Sequence, residues 1–107
     1  MRNLAVFWND VRVGVLTERL PGRDYRFEYD ADYVTSPMPH ISVTMPKRLE
    51  PDESEHLFPV FANMVPEGAL RRVVCHDHYI DEHDFFGLLM SMADKDTVGA
   101  VNFKNIE

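Results

Sequence analysis

The spacing of the apolar residues changes near the middle of the chain, and this change limits the folds that the chain can adopt. Before residue 46, apolar and polar residues alternate in short runs, as in residues 25–29 (YRFEY). A period of two places successive side chains on opposite faces of a β-strand. After residue 55, apolar residues recur every three or four positions, which is typical of helices that bury one face. Strands that come first and helices that follow predict an α+β fold.

Four strands are predicted in the first half of the chain, at residues 4–8, 11–16, 25–29 and 41–45. The turn residues Asn9-Asp10 and Pro21-Gly22 separate the first three of them. Strands joined by such short turns run antiparallel, so a mainly antiparallel sheet is expected. A short closing strand is predicted near the end of the chain, at residues 98–103.

Three helices are predicted between residue 55 and the closing strand. The first is expected to begin near residue 55, with Asp52 or Ser54 as its N-cap. The second is expected to begin at Pro66, because proline is tolerated at the first helical position, and to bury Leu70, Val73 and Val74. The third is expected to begin at the N-cap Asp81. The apolar faces of strands and helices together predict a core of Phe7, Val13, Phe27, Val43, Leu57, Phe61, Leu70, Val74, Phe85, Leu89 and Val101.

Composition and charge limit the classes of function. The 107 residues are 45% hydrophobic and show no linker, so one domain over 1–107 is expected. A single cysteine and the lack of an apolar run of about 20 residues favour a cytoplasmic protein without a membrane segment. The net charge of −7 and the scattered basic residues argue against direct nucleic-acid binding. An acidic surface suits a basic protein partner, and it also serves solubility.

Residues 75–84 hold the side chains that could form a metal or catalytic site. They include Cys75, His76, Asp77, His78, Asp81, His83 and Asp84. These residue types ligate transition metals, but the segment has no C-x-x-C pair and a helix break is expected within it. Solvated residues around an interhelical turn are the commoner explanation. We therefore predict no metal site, and a small metalloenzyme remains as an alternative.

The parts that a kinase needs for catalysis are absent from the sequence. The five glycines are scattered singly, so none forms a loop that could cover phosphates. Lysine occurs only at positions 47, 95 and 104, none in a strand that resembles the one carrying the phosphate-binding lysine of kinases. No catalytic or cofactor-binding residues are predicted, and the chain is not expected to be an enzyme.

Two segments resemble the N-terminal domain of HipA-type serine/threonine kinases. Residues 61–71 (FANMVPEGALR) follow the family pattern F-x-N-x-L-P-E-G-x-x-R, with Val65 in place of its leucine. Residues 88–101 (LLMSMADKDTVGAV) resemble the pattern L-L-x-x-x-G-x-D-x-V-G-A-V that follows it, but they are one residue longer, and Ala93 and its neighbours do not supply the glycine. The catalytic parts of the family lie downstream of this region. The resemblance covers almost the whole chain and implies a small α+β domain.

A free-standing chain of this type resembles the HipS-like antitoxins of three-part HipBST-type toxin–antitoxin systems. The resemblance implies a protein that binds and neutralises a HipA- or HipT-like kinase, with a HipB-like DNA-binding protein as a third component. The alternative is a non-inhibitory accessory domain or a fragment of a HipA-like kinase.

The family signature contains a helix junction that is a candidate contact with the kinase. The residues of this junction are Pro66, Glu67, Gly68, Ala69, Leu70 and Arg71. Helix termination by Pro66 and Gly68 would by itself explain the sequence. A rigid exposed corner that carries polar and apolar groups would equally suit a partner's cleft. If the corner is only a junction, the exposed sheet face around Arg12, Arg26 and Glu28 is the alternative contact.

Overall fold

The computed structural model describes residues 1–65, 67–93 and 101–106, and it confirms the α+β fold. Three strands and a short helix come first, and helices and a closing strand follow. In chain order the elements are β1 (Arg2–Trp8), β2 (Val11–Leu20), β3 (Arg23–Tyr29), α1 (Ala31–Val34), β4 (Asp52–Ser54), α2 (Pro59–Ala62), α3 (Gly68–His78), α4 (Phe85–Ser91) and β5 (Val101–Asn105). Among the described residues, no helix is long and apolar enough to cross a membrane.

The described strands form one antiparallel sheet in the order β4-β3-β2-β1-β5. Both predicted hairpins are confirmed. Asn9 and Asp10 have φ values of 46° and 68°, which belong to the tight turn whose twist matches that of the strands. Gly22 has a φ of 72° at the second hairpin. The closing strand β5 pairs with β1, while residues 98–100 of the prediction lie outside the described residues.

Gly14 lies on β2 opposite Tyr29 of β3, and the two backbones come close together there. A Cβ atom at this position would lie 2.1 Å from the carbonyl oxygen of Glu28 and 2.9 Å from the Cα of Tyr29. Both are backbone atoms of a paired strand, which cannot move without disturbing the ladder. The sheet therefore requires glycine at position 14, because there is no room for a side chain.

The predicted fourth strand is wrong. Residues 41–45 form a turn with an isolated bridge between Ser42 and Met45, and Asp52–Ser54 supplies the fourth strand instead. Val43, expected in the core, is 91% exposed. The Tyr29 hydroxyl accepts a hydrogen bond from the Ile41 N–H and donates one to the Met45 carbonyl. A buried side chain thus satisfies backbone groups that a neighbouring strand would otherwise satisfy.

The predicted boundaries of the first and third helices are also wrong. α2 begins at Pro59, where the missing N–H of proline does no harm, so Asp52 and Ser54 are strand residues and not caps. α4 is capped by Asp84, whose carboxylate accepts the Gly87 N–H at 3.0 Å, and not by Asp81. The short helix α1 was not predicted, because four residues carry too little periodicity.

Aromatic side chains join the sheet to the helices in the core. The ring centroid of Phe27 lies 5.0 Å from that of Tyr29 and 5.5 Å from that of Phe61. Phe61 also lies 6.0 Å from Phe103, so α2 contacts both β3 and β5 through one ring. The core prediction is confirmed for Val13, Phe27, Phe61 and Leu89, which are fully buried. Four other predicted residues pack at its edge and are partly buried: Leu57, Val74, Phe85 and Val101.

Candidate protein-binding surface

The residues that open α3 are exposed to solvent. Glu67 is the N-cap, with an extended backbone, and its side chain makes no capping hydrogen bond. Gly68, Ala69 and Leu70 follow, and Leu70 is 61% exposed. The structure thus presents four of the six predicted corner residues to solvent. Pro66 lies outside the described residues.

Gly68 is required at the start of α3 by its backbone conformation. Its φ is +60°, and a Cβ atom there would meet nothing within 4 Å. A side chain would therefore fit in space but would strain the left-handed backbone. The extended Glu67 and the left-handed Gly68 together set the direction in which α3 begins.

Helix α3 turns a different face to the core than the sequence predicts. Cys75 is the buried residue of this helix, while Leu70 and Val73 are 61% and 55% exposed. The predicted burial of Leu70 and Val73 is therefore wrong. The guanidinium of Arg71 lies 4.9 Å from the centroid of the Phe85 ring on α4. An arginine side chain can cover an aromatic ring while its charge stays hydrated. Arg71 therefore makes a contact between α3 and α4 of the kind that the apolar spacing predicted for Leu70 and Val73.

The outcome is a mixed apolar and acidic surface, which we call the α3 corner and define by Glu67, Gly68, Ala69, Leu70 and Val73. Leu70 and Val73 are three residues apart and therefore lie on the same side of the helix. Each is a little more than half exposed, so covering both would contribute about 1–2 kcal/mol per residue. One carboxylate and two aliphatic side chains provide binding chemistry and no catalytic chemistry. The spacing of apolar residues in the sequence could not have identified Val73 as a surface residue, because residues three apart on a helix are just as often on its buried face.

The candidate metal ligands do not come together. Cys75 faces the core, while His76, His78 and His83 are exposed. Burial raises the pKa of the Cys75 thiol, and the nearby charge of Glu82 raises it further, so the thiol is not activated. Within the described part of the chain, no three His, Cys, Asp or Glu side chains are arranged to hold a metal ion.

The C-terminal end of α3 is a second exposed turn. Tyr79 adopts a left-handed conformation with a φ of 54° and is 96% exposed. The Ile80 N–H donates to the Cys75 carbonyl at 2.9 Å, which closes the helix.

An ion cluster that the sequence analysis missed holds α4 against the sheet. Arg2 donates from Nε and Nη2 to Oε1 of Glu18, at 2.8 and 2.5 Å. It also donates to both carboxylate oxygens of Asp84, at 2.7 and 3.1 Å. Glu18 is only 3% exposed, and its other oxygen lies 3.2 Å from the Gly22 nitrogen and 3.4 Å from the Tyr25 hydroxyl. No local pattern predicts this cluster, because its members are 16 and 82 residues apart.

Electrostatic effects in the cluster follow from its geometry. The hydrogen bond from Arg2 lowers the pKa of Asp84, so this carboxylate stays charged while it caps α4. The hydrogen bond to Asp84 in turn raises the pKa of Arg2. Burial raises the pKa of Tyr25, and the adjacent charge of Glu18 raises it further. The cluster is therefore a fixed structural element that positions α4, on which α3 rests.

The outer sheet residues that form the alternative contact are paired with acidic neighbours. Arg12 lies 3.0 Å from Asp30, and Arg26 lies 3.5 Å from Glu28. These side chains are between about a third and a half exposed, so the face is charged but largely neutralised.

Comparison with known proteins identifies the family. The profile of the HipA N-terminal domain matches residues 4–104. The chain belongs to the HipA N-terminal domain family. A solved structure described as the N-terminal domain of HipA toxin is 31% identical, with a TM-score of 0.73, and the match covers 100% of this chain and 94% of that one. An uncharacterized protein of Haemophilus influenzae is 34% identical over 104 residues, which are 97% of this chain and 92% of the relative.

The predicted resemblance to HipA N-terminal domains is thereby confirmed. In this HipA N-terminal domain, the first signature segment spans the end of α2 and the start of α3, and so contains most of the α3 corner. Half of the second segment, residues 94–100, lies outside the described residues.

Proposed function

We propose that this protein is a HipS-like antitoxin that binds and neutralises a HipA- or HipT-like serine/threonine kinase. The observation that carries the proposal is a HipA N-terminal domain whose helix α3 leaves Leu70 and Val73 exposed. Aliphatic side chains on a helix provide contact area at a smaller cost in conformational entropy than side chains on a flexible loop. The proposed partner-binding residues are Pro66, Glu67, Gly68, Ala69, Leu70 and Arg71, and we add Val73 because it is 55% exposed on the same side of α3 as Leu70.

The proposed mechanism is docking in trans of a domain that is covalently attached in HipA-type kinases. A domain that keeps its complementary face can bind the kinase as a separate chain, and either blocking the site or shifting the kinase conformation would inhibit it. Catalysis by this chain has no part in the proposal. We place the action in the cytoplasm, with a HipB-like DNA-binding protein as a third component and no direct contact of this chain with nucleic acid.

Co-expression with a HipA-family kinase from the same organism tests the proposal. We expect the wild-type chain to copurify with the kinase and to restore growth. Glu67→Lys and Ala69→Arg should lose both properties, because a central charge reversal or a bulky cation in an interface costs several kcal/mol. Asp32→Lys is the matched control, since Asp32 is an exposed acid in the first turn of another helix.

Each other outcome separates the alternatives. Copurification without growth rescue would favour a non-inhibitory accessory domain. Folded Glu67 and Ala69 variants that bind and rescue like wild type would show that the corner is only a helix junction. The sheet face around Arg12, Arg26 and Glu28 would then be the next surface to test. A wild-type chain that binds no HipA-family kinase would overturn the proposed function.

Nucleotide binding provides an independent test of the non-catalytic role. Titration of the purified chain with ATP in a calorimeter should give no binding heat, and saturable binding at micromolar ATP would contradict the proposal.

A further inference from the structure

The turn at residues 42–45, which we call the tip, carries an exposed aliphatic side chain on a buried base. Ile41 and Met45 are 6% and 3% exposed and belong to the core, whereas Val43 between them is 91% exposed. Isolated exposed aliphatic residues are common on protein surfaces and usually have no special role. What distinguishes Val43 is the rigidity of the turn that carries it.

A buried hydroxyl fixes both sides of the tip. Tyr29 is 3% exposed, and its ring packs against Phe27 and Tyr33. Its hydroxyl accepts the Ile41 N–H at 3.0 Å and donates to the Met45 carbonyl. The two ends of the turn are therefore held to one core residue of β3.

Hydrogen bonds between neighbouring residues also hold the tip internally. The Met45 N–H donates to the Ser42 carbonyl at 3.0 Å, and the Thr44 N–H donates to the Ser42 hydroxyl at 3.3 Å. Val43 is also β-branched, so its side chain has few rotamers to lose on binding. A contact made by Val43 would incur little of the ordering cost that weakens contacts made by flexible loops.

The segment around the tip is basic in an otherwise acidic chain. Residues 33–49 contain neither Asp nor Glu, although the chain has 18 acidic residues and a net charge of −7. Lys47 donates to the Ser36 carbonyl at 2.6 Å and lies 5.7 Å from the centroid of the Tyr33 ring. Its ammonium group is thus held within this segment, and Lys47 follows the tip by two residues. Arg48 contributes less, because Asp52 pairs with it at 2.5 Å.

We propose that the tip is a second docking element, and that Val43 enters an apolar pocket rimmed by carboxylates on the kinase. The charge complementarity of a basic segment selects an acidic rim, and the exposed aliphatic side chain selects an apolar pocket. The identity of the partner rests on the proposed function. The tip is separate in sequence from the α3 corner, so the two surfaces can be tested independently.

Calorimetric titration of the purified chain into a purified HipA-family kinase tests the proposal. Val43→Ser should weaken binding about tenfold, which corresponds to about 1.4 kcal/mol. Leu49→Ser is the matched control, because Leu49 is a 65% exposed aliphatic residue of the same segment but lies outside the tip. The Leu49→Ser variant should bind the kinase with wild-type affinity. Thermal melts should be unchanged for both variants, since neither side chain is part of the core.

Two charged variants of Val43 test whether the proposed pocket on the kinase is surrounded by negative charge. Val43→Lys and Val43→Glu both remove the aliphatic contact, but a carboxylate rim attracts the first and repels the second. We expect the Glu variant to bind at least tenfold more weakly than the Lys variant, and the difference to shrink at high salt. Equal affinities of the two variants would contradict the inference that carboxylates surround the pocket.

The possible failures are distinguishable. If wild type binds the kinase, Leu70→Asp weakens binding, and Val43→Ser binds like wild type, the tip inference is wrong and the proposed function stands. If Val43→Ser and Leu49→Ser weaken binding equally, the tip has no special role and the inference is again wrong. If the wild-type chain binds no HipA-family kinase, both the inference and the proposed function are overturned.

Discussion

Replacement of Arg2 by methionine should destabilise the fold more than the loss of an ordinary surface ion pair. Arg2 is the cation between a buried carboxylate on β2 and the capping carboxylate of α4, at 2.5 Å from Glu18 and 2.7 Å from Asp84. Its guanidinium also lies 5.2 Å from the centroid of the Phe86 ring. Methionine keeps much of the aliphatic volume over that ring and removes the charge, so the variant isolates the electrostatic contribution.

The magnitude follows from the exposure of the two partners. Glu18 is 3% exposed, and without Arg2 it keeps only the longer contacts to Gly22 and Tyr25. Removing one member of a buried pair costs about 3–5 kcal/mol, because the other charge stays buried without compensation. Arg2 and Asp84 are each about a third exposed, so their mutual contribution is at most about 1 kcal/mol. Since Arg2 itself remains partly hydrated, we expect a total loss of about 3 kcal/mol.

Urea denaturation of matched variants measures this loss. Arg12→Met is the control, because the pair between Arg12 and Asp30 is 46% and 34% exposed and should contribute less than about 1 kcal/mol. The double variant Arg2→Met/Glu18→Met should be more stable than Arg2→Met alone, because no unpaired carboxylate is left in the interior. A loss below about 1 kcal/mol for Arg2→Met, or a double variant whose losses simply add, would refute this account of the cluster.

Three further predictions concern the same architecture. Because Arg2 lowers the pKa of Asp84 below its ordinary 3.8, that carboxylate stabilises the fold above about pH 5 and loses the effect as the pH falls through the lowered pKa. The stability difference between wild type and Asp84→Asn should therefore shrink between pH 6 and pH 3 in urea titrations. Gly14→Ala should cost about 3 kcal/mol in the same assay, because its Cβ would collide with the Glu28 carbonyl, and a loss under about 1 kcal/mol would contradict the close approach. In hydrogen exchange, α3 should exchange faster than α4 in the free protein and become protected when the kinase binds, whereas unchanged exchange would exclude it from the interface.

Local sequence patterns predicted the hairpins and much of the core, because those features depend on neighbouring residues. Alternation over residues 25–29 correctly placed three aromatic side chains on one buried face. Turn residues correctly placed both hairpins. The same pattern failed at residues 41–45, where alternation is present but the backbone is held by the hydroxyl of Tyr29. That hydrogen bond joins residues that are twelve positions apart, so it cannot be predicted from the pattern of neighbouring residues.

The candidate surface shows a similar division between local and tertiary causes. The signature at residues 61–71 identified the corner, and the left-handed Gly68 explains why glycine stands there. Periodicity assigned Leu70 and Val73 to the core because their spacing fits a buried helical face. The side chain of α3 that packs against α4 is instead that of Arg71, whose guanidinium lies over the Phe85 ring. A contact between two helices decides this orientation, so the exposure of the apolar residues could only be recognised in the structure.

The exposure of the α3 corner depends on contacts that begin in the first strand. Arg2 on β1 holds Asp84, and Asp84 caps α4 directly before Phe85. The Phe85 ring lies under the guanidinium of Arg71, which is one of the contacts that turn α3. With Arg71 and Cys75 directed inward, helical geometry directs Leu70 and Val73 outward. The surface proposed to bind the kinase is therefore positioned by a partly buried ion cluster between the sheet and α4. A partner that bound this surface would also favour the conformation in which that cluster is formed.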